Sequence, residues 1–435
     1  MSVQILAPAG DFESLSAALA NGAHAVYFGV GRLNMRSRGA VNFSLEDLPR
    51  VVEQCHARGV KAYLTLNTLV YDTELDEVEQ LCAAAAAAQA DAVIAADMAV
   101  IECARKFDLK VHLSVQANIS NIRSVRFYAR YAEVMVLARE LTLEQVSEIC
   151  RKIREENITG PSGELVKIEL FAHGALCVAV SGKCYMSLAL YNSSANRGAC
   201  FQPCRRAYTV RDAVNGQELE IDNRYVMSPG DLCTIEILDK LLDAGVSILK
   251  IEGRGRSADY VGGVTRVYRE ALELWLRKEK ADDSSRERWK EQLKMYFNRG
   301  FWEGGYYLGE KTGEWAESGE NKSTFVKVLC GRVINYFPKA GIAQVQLVSG
   351  EVNLHDRILI TGPTTGAVEG LLDSFRAGDI PAEKAEKGME ITSLSEAWCE
   401  NTTPSLCYCP AIKRKSDYFS FRSLKKFSIS VYLFK

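Results

Sequence analysis

QILAPAGDFESLSAALANGAHAVYFG, residues 4–29, holds two short apolar segments around one amphipathic stretch. Gln4–Ala9 and Ala25–Gly29 are too short for buried helices and read as strands covered on both faces of a parallel sheet. Asp11 stands where a helix N-cap belongs, and Gly22-Ala23 where that helix should end. The stretch is one strand–helix–strand unit. No Gly-rich dinucleotide turn follows its first segment, which argues against an open, doubly wound sheet, the runner-up.

The unit recurs. Further segments of the same texture are Lys61–Asn67, Ala92–Asp97, Lys110–Val115, Val134–Arg139, Lys167–Ala172 and Ile248–Glu252, making eight. Helix signals fall between them: Ser44-Leu-Glu-Asp-Leu, Thr142-Leu-Glu-Gln-Val and the alanine run 83–88. Eight strands alternating with helices predict a TIM-like (β/α)₈ barrel of class α/β, spanning residues 1–312. The rhythm breaks once, between strands seven and eight, where a Cys-rich insertion covers about 177–235. Two helices are expected after strand eight, at 258–280 and 284–298. From Phe325 the texture turns to alternating β segments, so 320–410 is read as a small antiparallel β-barrel. Residues 411–435 carry seven Lys/Arg against one Asp and are expected to form a basic, loose tail.

Composition bounds the function. Of 435 residues, 47% are hydrophobic and 25% charged, ordinary for a globular protein. No apolar run reaches a membrane span, and Met1-Ser2-Val3-Gln4 does not open a signal peptide, so a cytoplasmic protein with no membrane partner is expected. The net charge of −2 confines any RNA contact to local patches. Thirteen cysteines are many for a reducing compartment, where clustered thiols read as ligands or nucleophiles. Cys55, Cys82, Cys103 and Cys150 sit singly in helical stretches and read as core. Cys399, Cys407 and Cys409 are read as structural or incidental.

A barrel of this kind works at the C-terminal ends of its strands. Those ends are polar here: Asn67, Asp97, Gln116, Arg139, Glu169 with His173, and Lys250, Glu252 and Arg254. Arginines and a lysine beside amides suit an anionic small molecule or a phosphate backbone. Arg139 and Arg254 are the leading ligand contacts, with Lys250, Asn67, Gln116 and Tyr27 lining the pocket. His173, Glu169 and Glu252 are the candidate catalytic groups. The two carboxylates serve equally as ion pairs bracing the rim, and His173 as a structural histidine.

The insertion reads Cys177-Val-Ala-Val-Ser-Gly-Lys-Cys184, then Cys200-Phe-Gln-Pro-Cys204, with Cys233 further on. Four converging thiolates bind zinc or an iron–sulfur cluster. The six-residue gap between the first pair is loose for a zinc knuckle, and Arg205-Arg206 favour ionised thiols.

Glu169-Leu-Phe-Ala-His-Gly-Ala-Leu-Cys177 with Gly182-Lys-Cys-Tyr-Met-Ser187 resembles the signature of peptidase family U32, the collagenase-like peptidases. Leu6–Gly10, Ala25–Gly29, His112–Asn118, Asn196–Cys200 and Lys250–Arg254 extend the resemblance. It is nearest to the prephenate-dependent tRNA uridine hydroxylase branch. That implies hydroxylation of the wobble uridine to 5-hydroxyuridine, prephenate as a dicarboxylate co-substrate, tRNA as partner and a [4Fe-4S] cluster. By motif, Cys177, Cys184 and Cys200 are ligands; Cys204 is the fourth, with Cys233 in reserve. Arg32, Arg36 and Arg38, or Arg205 and Arg206, would grip RNA phosphates. The alternatives are peptidase activity, with Cys177 and His173 as a thiol pair, and a subunit of another O₂-independent hydroxylase acting on rRNA or a ubiquinone precursor.

Overall fold

The computed structural model describes residues 3–211, 213–216, 218–219, 227–302, 304, 307–309, 316, 321–337, 341–394 and 429–434. Eight parallel strands close on themselves: β1 (Gln4–Ala9), β2 (Ala25–Gly29), β3 (Lys61–Leu66), β4 (Ala92–Ala95), β5 (Val111–Leu113), β6 (Val134–Val136), β7 (Lys167–Gly174) and β8 (Ile248–Ile251). β8 pairs with β1 on one side and β7 on the other, which shuts the barrel. The fold is the expected (β/α)₈ barrel.

Local chemistry sets the helices. Asp11 caps helix Phe12–Ala20 by accepting the Ser14 amide at 2.8 Å. Thr142 and Gln145 form a capping box on helix Leu143–Glu155. Ser44 opens a turn bonded to Asp47 rather than a helix, which begins only at Leu48 with Pro49 in its first turn. Asp97, expected at the mouth, caps helix Met98–Lys106.

Residues facing the barrel axis alternate with those facing the helices. The lower axis is filled by Leu6, Tyr27, Tyr63, Ile94, Val134 and Ile248. The larger core lies between strands and helices, where each fully buried Leu, Ile or Phe is worth about 1.5–3 kcal/mol. Polar residues are therefore left to the upper axis, which is the site.

After β7 the chain leaves through Gly174. It forms a short helix, Met186–Tyr191, and returns as Asp231–Cys233, antiparallel to β7. Helices Ala258–Leu276 and Asp283–Lys294 follow β8.

The C-terminal unit is built of antiparallel sheets around one core. The expected loose tail is corrected at its end. Ser430–Phe434 is a strand between Lys327–Phe337 and Arg357–Gly362, with Val431 and Leu433 buried. SVYLF alternates apolar residues onto the core face, and that pattern outweighs the basic run before it. Residues 411–428 and Cys399, Cys407 and Cys409 lie outside the described residues. The unit docks on the helices that follow β1 and β8: Ser16 donates to the Pro363 carbonyl at 2.6 Å, and Lys327 pairs with Asp259 at 2.7 Å. No helix among the described residues is long and apolar enough to cross a membrane.

Candidate active site at the barrel mouth

Glu252, just past β8, organises the upper axis. Arg36, from the loop after β2, holds one of its oxygens with two nitrogens at 3.0 and 2.7 Å. The Tyr27 hydroxyl lies 3.3 Å from the other and donates to the Ile251 carbonyl at 2.8 Å. Burial alone would raise the Glu252 pKa; Arg36, Arg254 and Arg139 outweigh it and bring it down to about 2.

Arg254 is buried without a carboxylate in contact. It donates to Asn34 at 3.1 Å and Thr65 at 2.7 Å. Burial lowers its pKa to about 10. Arg139 stacks over Phe171 at 3.9 Å and donates to the Ala175 carbonyl at 3.1 Å, and its Nε has no partner. The carboxylate acting on all three guanidiniums is Glu252. Three positive charges against one negative leave two in excess, an arrangement that costs free energy unless an anion fills it.

Deeper in the barrel, Lys250 and Glu169 form a buried pair at 2.7 Å, and the second Glu169 oxygen has no partner. Lys250 also lies 4.6 Å from the centre of the Tyr27 ring. On the opposite wall, Asn67 donates to Ser114 at 3.1 Å and lies 3.4 Å from Gln116, which also accepts from Ser114.

The insertion closes over this mouth. Gly174 makes the exit possible: at φ +105° it adopts a backbone that side chains disfavour, and a Cβ there would stand 2.3 Å from the Glu252 carbonyl. Cys204 senses the charges of Cys177, Cys200 and Cys184, and Cys200 those of Cys177 and Cys184, so the four thiols share one neighbourhood. Cys177 also acts on Arg36 and Arg139, which ties the thiols to the cationic mouth. Burial pushes the Cys204 thiol up to about 11, against the pull of Arg205. Among the described residues, no three His, Cys, Asp or Glu side chains stand together as a ready-made metal site. The four thiols act on one another electrostatically, and holding a metal requires their sulfurs to close in. Cys233 is not with them. It is buried against Tyr268 on the outer side of the barrel wall, with its thiol raised to about 12 mainly by burial.

Of the two roles open to each of the three candidate catalytic groups, the structure favours the structural one. His173 turns away from the mouth into a box of Tyr260, Tyr268 and Phe301, with ring centres 6.0, 5.6 and 5.6 Å away. Burial lowers its pKa to about 3, so the ring is neutral and packs rather than shuttles protons. Glu252 is held ionised by its arginines, and Glu169 is engaged in its pair with Lys250. Neither is free for acid–base work. Of the arginines expected to grip RNA, Arg32 pairs with Glu77, Arg36 with Glu252, and Arg205 is spent on the Leu176 and Pro229 carbonyls and Ser228. Arg38 and Arg206 lie instead over aromatic rings.

The sequence reading missed Asn34 and Thr65 as the holders of Arg254. Thr65 was findable: on β3 it shares the inward face with Tyr63 and Asn67 by period-two alternation. Asn34 lies in a loop, where no period applies.

The sequence model of Peptidase family U32 matches residues 10–317. A protein named Collagenase from Porphyromonas gingivalis is 50% identical over 389 residues, 89% of this chain and 94% of that protein. The tRNA hydroxylation protein P1 of Bacillus subtilis is 34% identical over 348 residues, 77% of each chain. The 23S rRNA 5-hydroxycytidine C2501 synthase of Escherichia coli is 35% identical over 272 residues, covering 62% of this chain and 39% of that one. On the strength of the family match and of these identities, the chain belongs to peptidase family U32.

Proposed function

We propose that this chain hydroxylates RNA, with tRNA wobble uridine converted to 5-hydroxyuridine, using prephenate and a [4Fe-4S] cluster. The observation that carries the reading is the excess of positive charge at the mouth, with four thiols of the insertion within electrostatic range of one another. Arg254 and Arg139 are oriented by Asn34, Thr65, Phe171 and Ala175 rather than by carboxylates. A dicarboxylate would supply the missing partners, held by the forked guanidiniums. Asn67, Ser114 and Gln116 offer donors and acceptors on the opposite wall for its neutral portion or for the target base.

Cys177, Cys184, Cys200 and Cys204 fit an iron–sulfur cluster in kind: four thiols carried on loops, in range of one another, beside arginines that favour the thiolate. Bound there, a cluster would supply electron transfer. Arg36 and Arg205 would stabilise the thiolates. RNA-directed chemistry is supported by relatives named for tRNA hydroxylation and for rRNA 5-hydroxycytidine synthesis.

The Collagenase name of one close relative favours a second reading, peptidase activity. The histidines weigh against it. His173 faces aromatics, His112 faces Tyr63, His24 bonds Arg269, His56 bonds Asp91, and His355 lies near Asp373 in the C-terminal unit. These are all five in the chain, and none is paired with one of the four insertion thiols in the way a cysteine protease requires.

The test is nucleoside analysis of tRNA from a strain lacking the gene. Loss of 5-hydroxyuridine and its derivatives, restored by the intact gene, is expected. Unchanged tRNA together with gelatin cleavage by the purified protein would overturn the proposal in favour of the second reading.

A further inference from the structure

Beside the cysteines, four side chains form a continuous stack. Arg38 lies 3.9 Å from the centre of the Phe201 ring. Phe201 and Tyr191 are tilted neighbours with centres 5.1 Å apart. Arg206 lies 5.2 Å from the centre of the Tyr191 ring. The members come from three places: the loop after β2, the end of helix Met186–Tyr191, and the turn holding Cys200 and Cys204. Their meeting is built in. The Arg38 amide donates to the Gly198 carbonyl at 3.2 Å, and a Cβ on Gly198 would stand 2.1 Å from the Asn34 carbonyl, so only glycine lets the two loops approach.

Arg38, Tyr191 and Arg206 are exposed. Arg38 and Arg206 have no carboxylate partner among the described residues, whereas nearby Arg32, Arg36 and Arg197 all do. Tyr185 and Leu190 of the same segment are 70% and 57% exposed, so the stack sits in a mixed aromatic and apolar surface beside the thiols. Two guanidiniums without carboxylates, flanking two rings, match one ligand chemistry: a strand of unpaired nucleotides, with a base against the exposed Tyr191 ring that Phe201 backs and phosphates against the arginines. A duplex hides its base faces and does not fit.

We infer that Arg38, Phe201, Tyr191 and Arg206 form a stacking platform for single-stranded RNA that delivers a loop nucleotide to the barrel mouth. The inference rests on the RNA reading above and adds where and how the RNA is held. The two arginines contribute charge; the two rings contribute stacking that tolerates any base.

The experiment is fluorescence anisotropy with the full-length protein, an RNA stem-loop containing unpaired uridines, and the same sequence closed into a duplex, across a salt series. Wild type should prefer the stem-loop. Tyr191→Leu should weaken stem-loop binding about tenfold without changing the salt slope, and Tyr191→Phe should retain it. Arg38→Gln and Arg206→Gln should each reduce the salt slope by about one. Stem-loop binding that all these variants leave unchanged would overturn the platform and spare the RNA reading. Equal binding of loop and duplex would overturn it as a single-strand device. Failure of wild type to bind either RNA would sink the RNA reading itself.

Discussion

Arg36 grips Glu252 through one carboxylate oxygen, with its two nitrogens at 3.0 and 2.7 Å, and so leaves the other oxygen facing Tyr27. The pair joins the loop after β2 to the end of β8 across the mouth. Glu252→Gln removes the one charge that offsets three guanidiniums. A loss of about 1–3 kcal/mol in denaturant unfolding is expected, discounted for the partial exposure of Arg36.

The same pair predicts a pH response. The Glu252 pKa is held near 2 in the folded chain, below its ordinary 4.5. A depressed carboxylate stabilises the fold above the unfolded value and loses that contribution as pH falls. Wild type should therefore lose stability between about pH 4.5 and 2 in a step that Glu252→Gln lacks. Superimposable pH–stability curves for the two proteins would show that the arginines do not hold this carboxylate down.

Lys250 and Glu169 test a different idea, that a deep pair is costly to break and cheap to replace. Lys250→Met leaves the buried Glu169 carboxyl without its partner and should cost about 3–5 kcal/mol. Lys250→Met with Glu169→Leu should recover most of that loss. A double variant as unstable as the single one would assign the loss to packing rather than to charge.

Arg139→Gln and Arg254→Gln remove guanidiniums that have no carboxylate in contact. Each should weaken prephenate binding by about ten- to a hundredfold in titration calorimetry, the range for one charge-assisted contact. Neither should destabilise the fold as Glu252→Gln does, because each relieves the excess of positive charge while Arg36 still holds Glu252. Lys61→Gln, at the opposite end of β3, is the control and should bind normally.

The barrel was legible because burial on both faces makes each parallel strand a short apolar run, and QILAPA, AVYFG and ILKI stand out as such. The mouth was legible in membership but not in pairing. Arg139, Arg254, Lys250 and Glu252 follow from their places at strand ends; that Arg36 would reach Glu252 depends on the path of a loop, which no period encodes. Which of its two roles His173 takes was not legible, for a physical reason. Strand alternation puts Glu169 and Phe171 inward and predicts the same for residue 173. The register slips between Lys250 and Ile251, however, and the ring turns out among tyrosines. The tail was misread because its charge run dominates the composition of residues 411–435, while SVYLF alone carries the strand signal.

Truncation after residue 428 tests that strand. Removing Ser430–Phe434 strips Val431 and Leu433 from the core and leaves two neighbouring strands with unpaired edges. Limited proteolysis should cut the C-terminal unit while the barrel resists. Val431→Asp in the full-length chain should do the same, because it buries a charge without a partner.

The cysteines give the sharpest contrast, because two candidate sets differ by one residue. Cys204 shares a neighbourhood with Cys177, Cys184 and Cys200; Cys233 is walled off beside Tyr268. Anaerobically purified protein should be brown and contain iron and sulfide. Cys177→Ala, Cys184→Ala, Cys200→Ala and Cys204→Ala should each bleach it without lowering barrel stability, since these loop thiols fill no core volume. Cys233→Ala should behave in the opposite way: iron retained, with stability lowered by about 1 kcal/mol because a buried side chain leaves a small cavity. Iron lost from the Cys233 variant and kept in the Cys204 variant would reassign the fourth ligand and require the insertion to refold around the metal. Zinc in place of iron in every preparation would leave the thiol set standing and remove the redox chemistry.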